Sequence, residues 1–349
     1  MNKVHNFSAG PAILPQEAID NSIAALQNFA GTGLSLIEVS HRGKEFVAIM
    51  DEATSIVKEI MQLGDDYAVV YLQGGASMQF LMVAYNLLNK KAAYLNTGTW
   101  SKKAIKEAKL FGEVDVVASS EDKNFSYVPD NYEVAADNDY FHITSNNTIY
   151  GTQMHEFPKV DMPLVCDMSS DIFCRELDFS QFDMIYAGAQ KNMGPAGTTL
   201  VVIKKDILGK VERALPSMMD YRIHIDKDSM FNTPPVFAVF CSLQTLRWVK
   251  ATGLKEIERK NKEKADMLYA EIDSNPKFKG VAREKDRSVM NVTFNLVDSS
   301  READFLLACT EANISGIKGH RSVGGFRASI YNALSIESIE VLVQVMKNF

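Results

Sequence analysis

The sequence predicts an α/β protein: a large unit with a mostly parallel sheet sandwiched by helices, followed by a smaller α+β unit towards the C-terminal end. Three observations carry this. Short apolar runs alternate with amphipathic ones as far as Ile203, the pattern of strands buried on both faces and joined by crossover helices. At Pro234-Pro235 the alternation gives way to a long helical stretch, because two prolines suit the entry of a helix. A chain of 349 residues is also long enough to bury a sizeable core beside a smaller companion.

The elements follow in order. Phe46, Met50, Ala53, Val57 and Ile60 fall near one face of a helix over residues 44–62. Residues 67–72 read as a strand leading into an apolar helix over 77–88, and 92–95 lead into the amphipathic stretch 102–111. Apolar strands over 114–118, 141–144, 164–166, 184–187 and 199–203 continue the series, although their order in the sheet is not visible. Beyond the prolines one helical region is expected over 236–272, then a strand over 291–296. Ser299 with Glu302 gives a capping-box signal before a helix over 303–312, and a last helix spans 336–346. The boundary between units is expected within a helix near 245–260. This gives a large unit over 16–250 and a small one over 251–349, with residues 1–15 packing against the latter.

A formal charge of -7 argues against a nucleic-acid partner, which needs a concentrated basic face, but leaves small anions open as ligands. Cys166, Cys174, Cys241 and Cys309 show no C-x-x-C spacing, so they read as reduced packing residues and no metal site is expected. The start Met1-Asn2-Lys3-Val4-His5-Asn6 lacks the apolar core of a signal peptide, and no apolar run approaches a membrane span. A cytoplasmic location is the expectation.

Chemistry is most legible around Lys191, in Ala187-Gly188-Ala189-Gln190-Lys191-Asn192-Met193-Gly194-Pro195 at the end of an apolar run. A lysine in a confined, partly desolvated place loses proton affinity and becomes a nucleophile toward carbonyls, the behaviour needed for a Schiff base with pyridoxal phosphate. The alternative is a lysine that has left the strand for solvent. Asp167 ends the preceding strand, so both side chains can meet at the carboxyl edge of a parallel sheet, where it would partner a pyridine nitrogen; alternatively it caps the turn before Ser169-Ser170. Gln73-Gly74-Gly75-Ala76-Ser77-Met78 follows a strand and opens a helix, so backbone N–H groups and the Ser77 hydroxyl there suit a phosphate. It matches neither G-x-G-x-x-G nor G-x-x-x-x-G-K-[ST], which removes the main support for a dinucleotide or nucleoside triphosphate. Trp100 sits where an indole can stack on a flat ring, or else pack at a helix start. Substrate anions call for planar donor forks, offered by Arg42 beside His41, and by His320, Arg321 and Arg327 among glycines, although solvated surface charge is the ordinary role of an arginine.

Six segments stand out along the chain: Asn6-Phe7-Ser8-Ala9-Gly10-Pro11-Ala12, Glu38-Val39-Ser40-His41-Arg42-Gly43-Lys44, Ala187-Gly188-Ala189-Gln190-Lys191-Asn192, Ser229-Met230-Phe231-Asn232-Thr233-Pro234-Pro235, Lys318-Gly319-His320-Arg321 and Arg327-Ala328-Ser329-Ile330-Tyr331-Asn332-Ala333. Through them, over nearly its whole length, the chain resembles the phosphoserine aminotransferase family, within the class V group of fold-type I pyridoxal phosphate enzymes.

The resemblance implies transfer of an amino group from L-glutamate to 3-phosphohydroxypyruvate, and often activity in pyridoxine biosynthesis on a phosphorylated hydroxythreonine analogue. It implies Lys191 as the residue bonded to pyridoxal 5'-phosphate and Asp167 as the ring nitrogen's partner. Trp100 is implied on the ring face, Thr148 at the ring hydroxyl, and Ala76, Ser77 and Gln190 around the phosphate. Asn232 and Thr233 are implied to reach the neighbouring subunit's cofactor, hence a homodimer with shared sites. Arg42 and Arg327 are implied to bind substrate carboxylate or phosphate, helped by His41 and by His320 with Arg321, the latter pair from the partner chain. Some members carry an arginine in the glycine-rich turn, where Ala76-Ser77-Met78 offers none, so Arg42, His320 and Arg321 are expected to carry more of the phosphate's charge. Rival readings are another class V enzyme, either a serine or alanine aminotransferase acting on glyoxylate or a cysteine desulfurase, and a cofactor-free binding protein on the same fold. A desulfurase needs a mobile-loop cysteine, whereas Cys309 lies in a helical run.

Overall fold

The computed structural model describes residues 3–349; residues 1 and 2, part of the expected N-terminal segment, lie outside the described residues. Seven strands form the main sheet in the order Tyr67–Leu72, Thr199–Lys204, Met184–Gly188, Leu164–Asp167, Phe141–Thr144, Lys91–Asn96 and Glu113–Ser119. All run parallel except Thr199–Lys204, which is antiparallel to both neighbours.

Alternation along each strand divides the side chains between two faces. Tyr67, Val69, Tyr71, Ile185, Leu200 and Val202 pack on one side with the helices Lys44–Met61 and Val236–Thr252, through Phe46, Met50, Val57 and Leu243. Ala68, Val70, Leu72, Met184, Tyr186 and Val201 pack on the other with Gly75–Leu87 and Thr99–Ala108, through Phe80, Val83 and Ile105. Burial on both faces is why these strands are continuous apolar runs.

A separate apolar cluster gathers Phe7, Leu268, Phe278, Phe294, Phe305, Phe326 and Leu342. It lies between a three-stranded antiparallel sheet, Phe278–Gly280, Asn291–Leu296 and Phe326–Ser329, and the helices Leu254–Ser274, Glu302–Glu311 and Ile336–Asn348. The N-terminal segment joins it: His5–Asn6 pairs in parallel with Ile314–Ser315.

Local chemistry moves several expected boundaries. The helical region expected over 236–272 is two helices, Val236–Thr252 and Leu254–Ser274, broken at Gly253 with φ +80°. The expected Ser299 cap is replaced by Asp298, whose carboxylate accepts the Ser300 N–H at 3.0 Å and opens a 3-10 turn, so the α-helix starts at Glu302. The helix expected over 102–111 runs Thr99–Ala108, which puts Trp100 in its first turn.

Candidate active site

Asp167 and Lys191 lie at the carboxyl edge of adjacent parallel strands, Leu164–Asp167 and Met184–Gly188, with Asp167 opposite Tyr186 in register. They face one cavity of about 460 Å³. Asp167 is 4% exposed, and its Oδ1 accepts the Ser169 N–H at 2.9 Å. Burial pushes its carboxyl up, against the Ser169 hydrogen bonding and the Lys191 charge, which pull it down. Lys191 donates from Nζ to Thr148 Oγ1 at 3.0 Å. Burial lowers its proton affinity to about 8, opposed by the charges of Asp167 and Asp171, so roughly a tenth of the amine is neutral at pH 7.

The lysine turn is held from three sides. Gly188 N–H donates to Ser169 Oγ at 3.1 Å, and Gly194 N–H to Ala189 O at 2.8 Å. Asn192 Nδ2 donates to Ile172 O at 3.2 Å, while its Oδ1 accepts the Asn332 N–H at 3.0 Å. Ala12 N–H donates to Gln190 O at 2.9 Å, bringing Gly10 so close that a Cβ there would sit 3.4 Å from Lys191 Cγ. With φ at +139°, that position suits glycine on both counts.

The opposite wall is the start of the helix Gly75–Leu87. Gly74 has φ +91° and a Cβ there would lie 2.6 Å from Met78 Cβ, so glycine lets the strand turn sharply into the helix. The first turn carries no acid, and the first N–H groups of any helix have no intrahelical acceptor. Gly75, Ala76 and Ser77 line the cavity there, an anion site by geometry. Trp100 forms a flat wall, with Lys191 Nζ 5.9 Å from its ring centre.

The cavity's polar atoms are incompletely paired. Trp100 Nε1, Thr144 Oγ1 and Arg327 Nε are buried without a hydrogen-bond partner among the described residues. A buried carboxylate, an amine of reduced proton affinity, an indole wall and a helix start around one cavity suit a flat ring with a basic nitrogen, a carbonyl and a phosphate. The residues present fit pyridoxal 5'-phosphate.

Gln190 and Arg327 also line the cavity, and so does His320, which reaches the cavity of its own chain where the partner's was expected. Arg327 stands on the strand Phe326–Ser329, and burial lowers its proton affinity. Arg321, next to His320, is exposed and does not line the cavity. His41 and Arg42, just before the helix Lys44–Met61, lie outside it as well; Arg42 is exposed. Asn232 and Thr233 lie behind the glycine turn, where Gln73 Nε2 donates to Thr233 O at 3.1 Å and Asn232 lines a separate cavity.

Sequence reasoning missed Ala9, Thr144 and Asn146 among the lining residues, and read Ser169 and Ser170 only as a turn. It also missed Asp171, a second buried carboxylate that accepts hydrogen bonds from the Ser145 hydroxyl and from Gln153 Nε2. A strand-end aspartate followed four residues later by another was the available signal.

Comparison with known proteins agrees with this geometry. The family model for aminotransferase class-V matches residues 4–342. A phosphoserine aminotransferase of Flavobacterium johnsoniae is 61% identical, covering 99% of this chain and 98% of the relative. The solved structure of phosphoserine aminotransferase from Bacillus circulans subsp. alkalophilus superposes with a TM-score of 0.96 at 40% identity, covering 99% of this chain and 98% of that one. That of the pyridoxal-phosphate-bound enzyme from Trichomonas vaginalis gives a TM-score of 0.94 at 38% identity, over 99% of this chain and 100% of that one. The chain belongs to the class-V aminotransferase family.

Proposed function

We propose that this chain, a pyridoxal-phosphate-dependent transaminase, moves the amino group of L-glutamate to 3-phosphohydroxypyruvate, giving 2-oxoglutarate and O-phospho-L-serine. The observation that carries the reading is the convergence of Lys191 and Asp167 on one cavity at the sheet's carboxyl edge. Its full-length similarity to phosphoserine aminotransferases supports the substrate pair.

When bound, pyridoxal 5'-phosphate supplies an electron sink for the bonds at the amino acid's α-carbon. The chain's residues supply the rest. Asp167 would hold a proton on the ring nitrogen, Trp100 the ring face, and Thr148 the ring hydroxyl. Ala76, Ser77 and Gln190 would hold the phosphate. Lys191 would anchor the carbonyl, and its amine, when free, would take the proton from the substrate α-carbon and pass it to the cofactor, so one residue would serve as anchor and general base. Arg327 holds a substrate carboxylate, with His320 and Arg321 beside it.

The shared-site homodimer belongs to the same proposal. Ile23 and Ile37, with 51% and 65% exposed, offer apolar surface for a second copy. His41, Arg42, Asn232 and Thr233, which stand outside their own cavity, suit a reach into the partner's. A cytoplasmic location and the division into 16–250 and 251–349, with the site at the seam, complete the picture. The same anion-binding set accepts the larger phosphorylated hydroxythreonine-type keto acid, which competition between the two acceptors measures. Against a desulfurase stands Cys309, 1% exposed on the helix Glu302–Glu311.

Incubating the purified holoenzyme with glutamate and 3-phosphohydroxypyruvate should yield O-phosphoserine by mass spectrometry. Turnover with glyoxylate but not with the phosphorylated acceptor would overturn the substrate assignment.

A further inference from the structure

Lys103 follows Trp100 by one turn on the helix Thr99–Ala108, and its Nζ lies 4.7 Å from the centre of the indole ring. Residues three apart share a helix face, so the stem runs along the tryptophan that walls the cavity, and the ammonium is close enough to act on His320, which lines the same cavity. Among the described residues no carboxylate lies within 4.0 Å of the Lys103 ammonium, whereas its neighbour Lys102 pairs with Glu121 at 2.6 Å. His320, on the loop across the rim, bonds Ser322 Oγ through Nδ1 at 2.7 Å, and its other ring nitrogen has no partner among the described residues. Burial first, then the charges of Arg327, Arg321 and Lys103, lower the proton affinity of His320, as a cluster of cations without an acid must.

Arg327 and His320, which line the cavity, thus stand with Arg321 and Lys103 in one basic cluster, and among the described residues no carboxylate lies within 4.0 Å of any of the four. A substrate α-carboxylate needs one fork, which Arg327 supplies. The cofactor phosphate has the helix start at Gly75. What remains, Lys103 with His320 and Arg321, is more positive charge than a single carboxylate uses, and the glycine-rich turn brings no arginine of its own. A lysine is a point charge that binds phosphate without demanding planar geometry.

Resting on the transaminase reading above, we propose that Lys103 is a specificity-determining residue that binds the phosphate dianion of the keto-acid substrate at the cavity rim. It distinguishes phosphorylated from unphosphorylated acceptors by charge, and because it is exposed, its contribution weakens as salt rises.

Holoenzyme carrying Lys103→Met, which keeps the apolar stem over Trp100, tests this beside Lys103→Arg. KM for 3-phosphohydroxypyruvate should rise about tenfold in Lys103→Met, with kcat little changed, and return to within about threefold of wild type in Lys103→Arg. KM for unphosphorylated hydroxypyruvate should not move, and KM for glutamate, whose distal group bears one charge instead of two, should move less than about threefold. Competitive inhibition by inorganic phosphate should weaken in Lys103→Met by the same factor as acceptor binding. An unchanged KM for the phosphorylated acceptor, or an equal rise for hydroxypyruvate, overturns the role of Lys103. Wild-type enzyme that makes no O-phosphoserine overturns the substrate reading first, and is seen before any variant is made.

Discussion

Lys191, at the carboxyl edge of the seven-stranded sheet, and Lys264, on the helix Leu254–Ser274 of the C-terminal unit, both lose proton affinity to burial, to about 8 and about 7. Their surroundings differ. Lys264 is 2% exposed and donates to Ile330 O, Tyr331 O and Leu334 O at 2.8, 2.8 and 3.1 Å, so each ammonium hydrogen has an acceptor. Those three carbonyls favour the charged form against the desolvation that lowers it. Lys191 has one hydroxyl partner, a carboxylate nearby and an open cavity. Reduced proton affinity therefore does not identify a nucleophile; freedom from acceptors and access to a ligand do. Lys264 is a pin: it fixes the turn that follows Arg327's strand. One helical turn earlier Asn261 bonds Asn332 at 2.8 Å, which in turn bonds Asn192 beside Lys191.

The contrast is broken or sharpened most directly by removing each amine. Lys191→Ala should lower kcat by about 10⁴-fold or more while circular dichroism and melting temperature hold. A matching loss in a folded Lys264→Met would erase the distinction. Next in size, Asp167→Asn should lower kcat about 10²-fold in steady-state assays, because the ring nitrogen would lose its anionic partner.

Lys264→Met should leave kcat within about tenfold but cost about 2 kcal/mol in urea unfolding, since three buried carbonyls lose their donor. The smallest effect is one of pH. In cofactor-free protein, acylation of Lys191 followed by peptide mass spectrometry should speed up about tenfold per pH unit up to about 8 and flatten above it, as the neutral amine accumulates. Asp167→Asn should move that midpoint down, because the Asp167 charge favours the protonated amine. Lys264 should stay unlabelled throughout despite its lower proton affinity; labelling faster than Lys191 would show that burial alone sets reactivity.

This contrast also marks what the sequence reveals. Lys191 and Asp167 are readable because each terminates a short apolar run, and in a parallel sheet run ends share an edge. The glycine turn at Gly74 is readable for the same reason, lying where a strand becomes a helix. Lys264 is not, because its three acceptors come from a turn 66 to 70 residues further on. Thr148 entered only through resemblance and Asn146 not at all, since both lie past the strand's end outside any periodic pattern; Thr144, which ends the expected strand over 141–144, was missed because a threonine there reads equally well as ordinary strand. Strand order escaped too: nothing within Thr199–Lys204 says that it runs against both neighbours. Its short connection from Met184–Gly188, occupied by the lysine turn, leaves no room for a crossover helix. The cap at Asp298 in place of Ser299 is a contest between adjacent small polar side chains that spacing alone cannot decide.

The N-terminal segment has a further consequence. Ala9 lines the cavity and accepts the Tyr331 hydroxyl at 2.8 Å, and Phe7 O accepts the Ser329 N–H at 3.2 Å, so the first and last parts of the polypeptide meet at the site. Residues more than 300 positions apart must therefore come together before the cavity exists. A chain lacking Arg327 and Tyr331 has no finished cavity, which makes vitamin B6 capture a report on long-range closure rather than on the sheet alone.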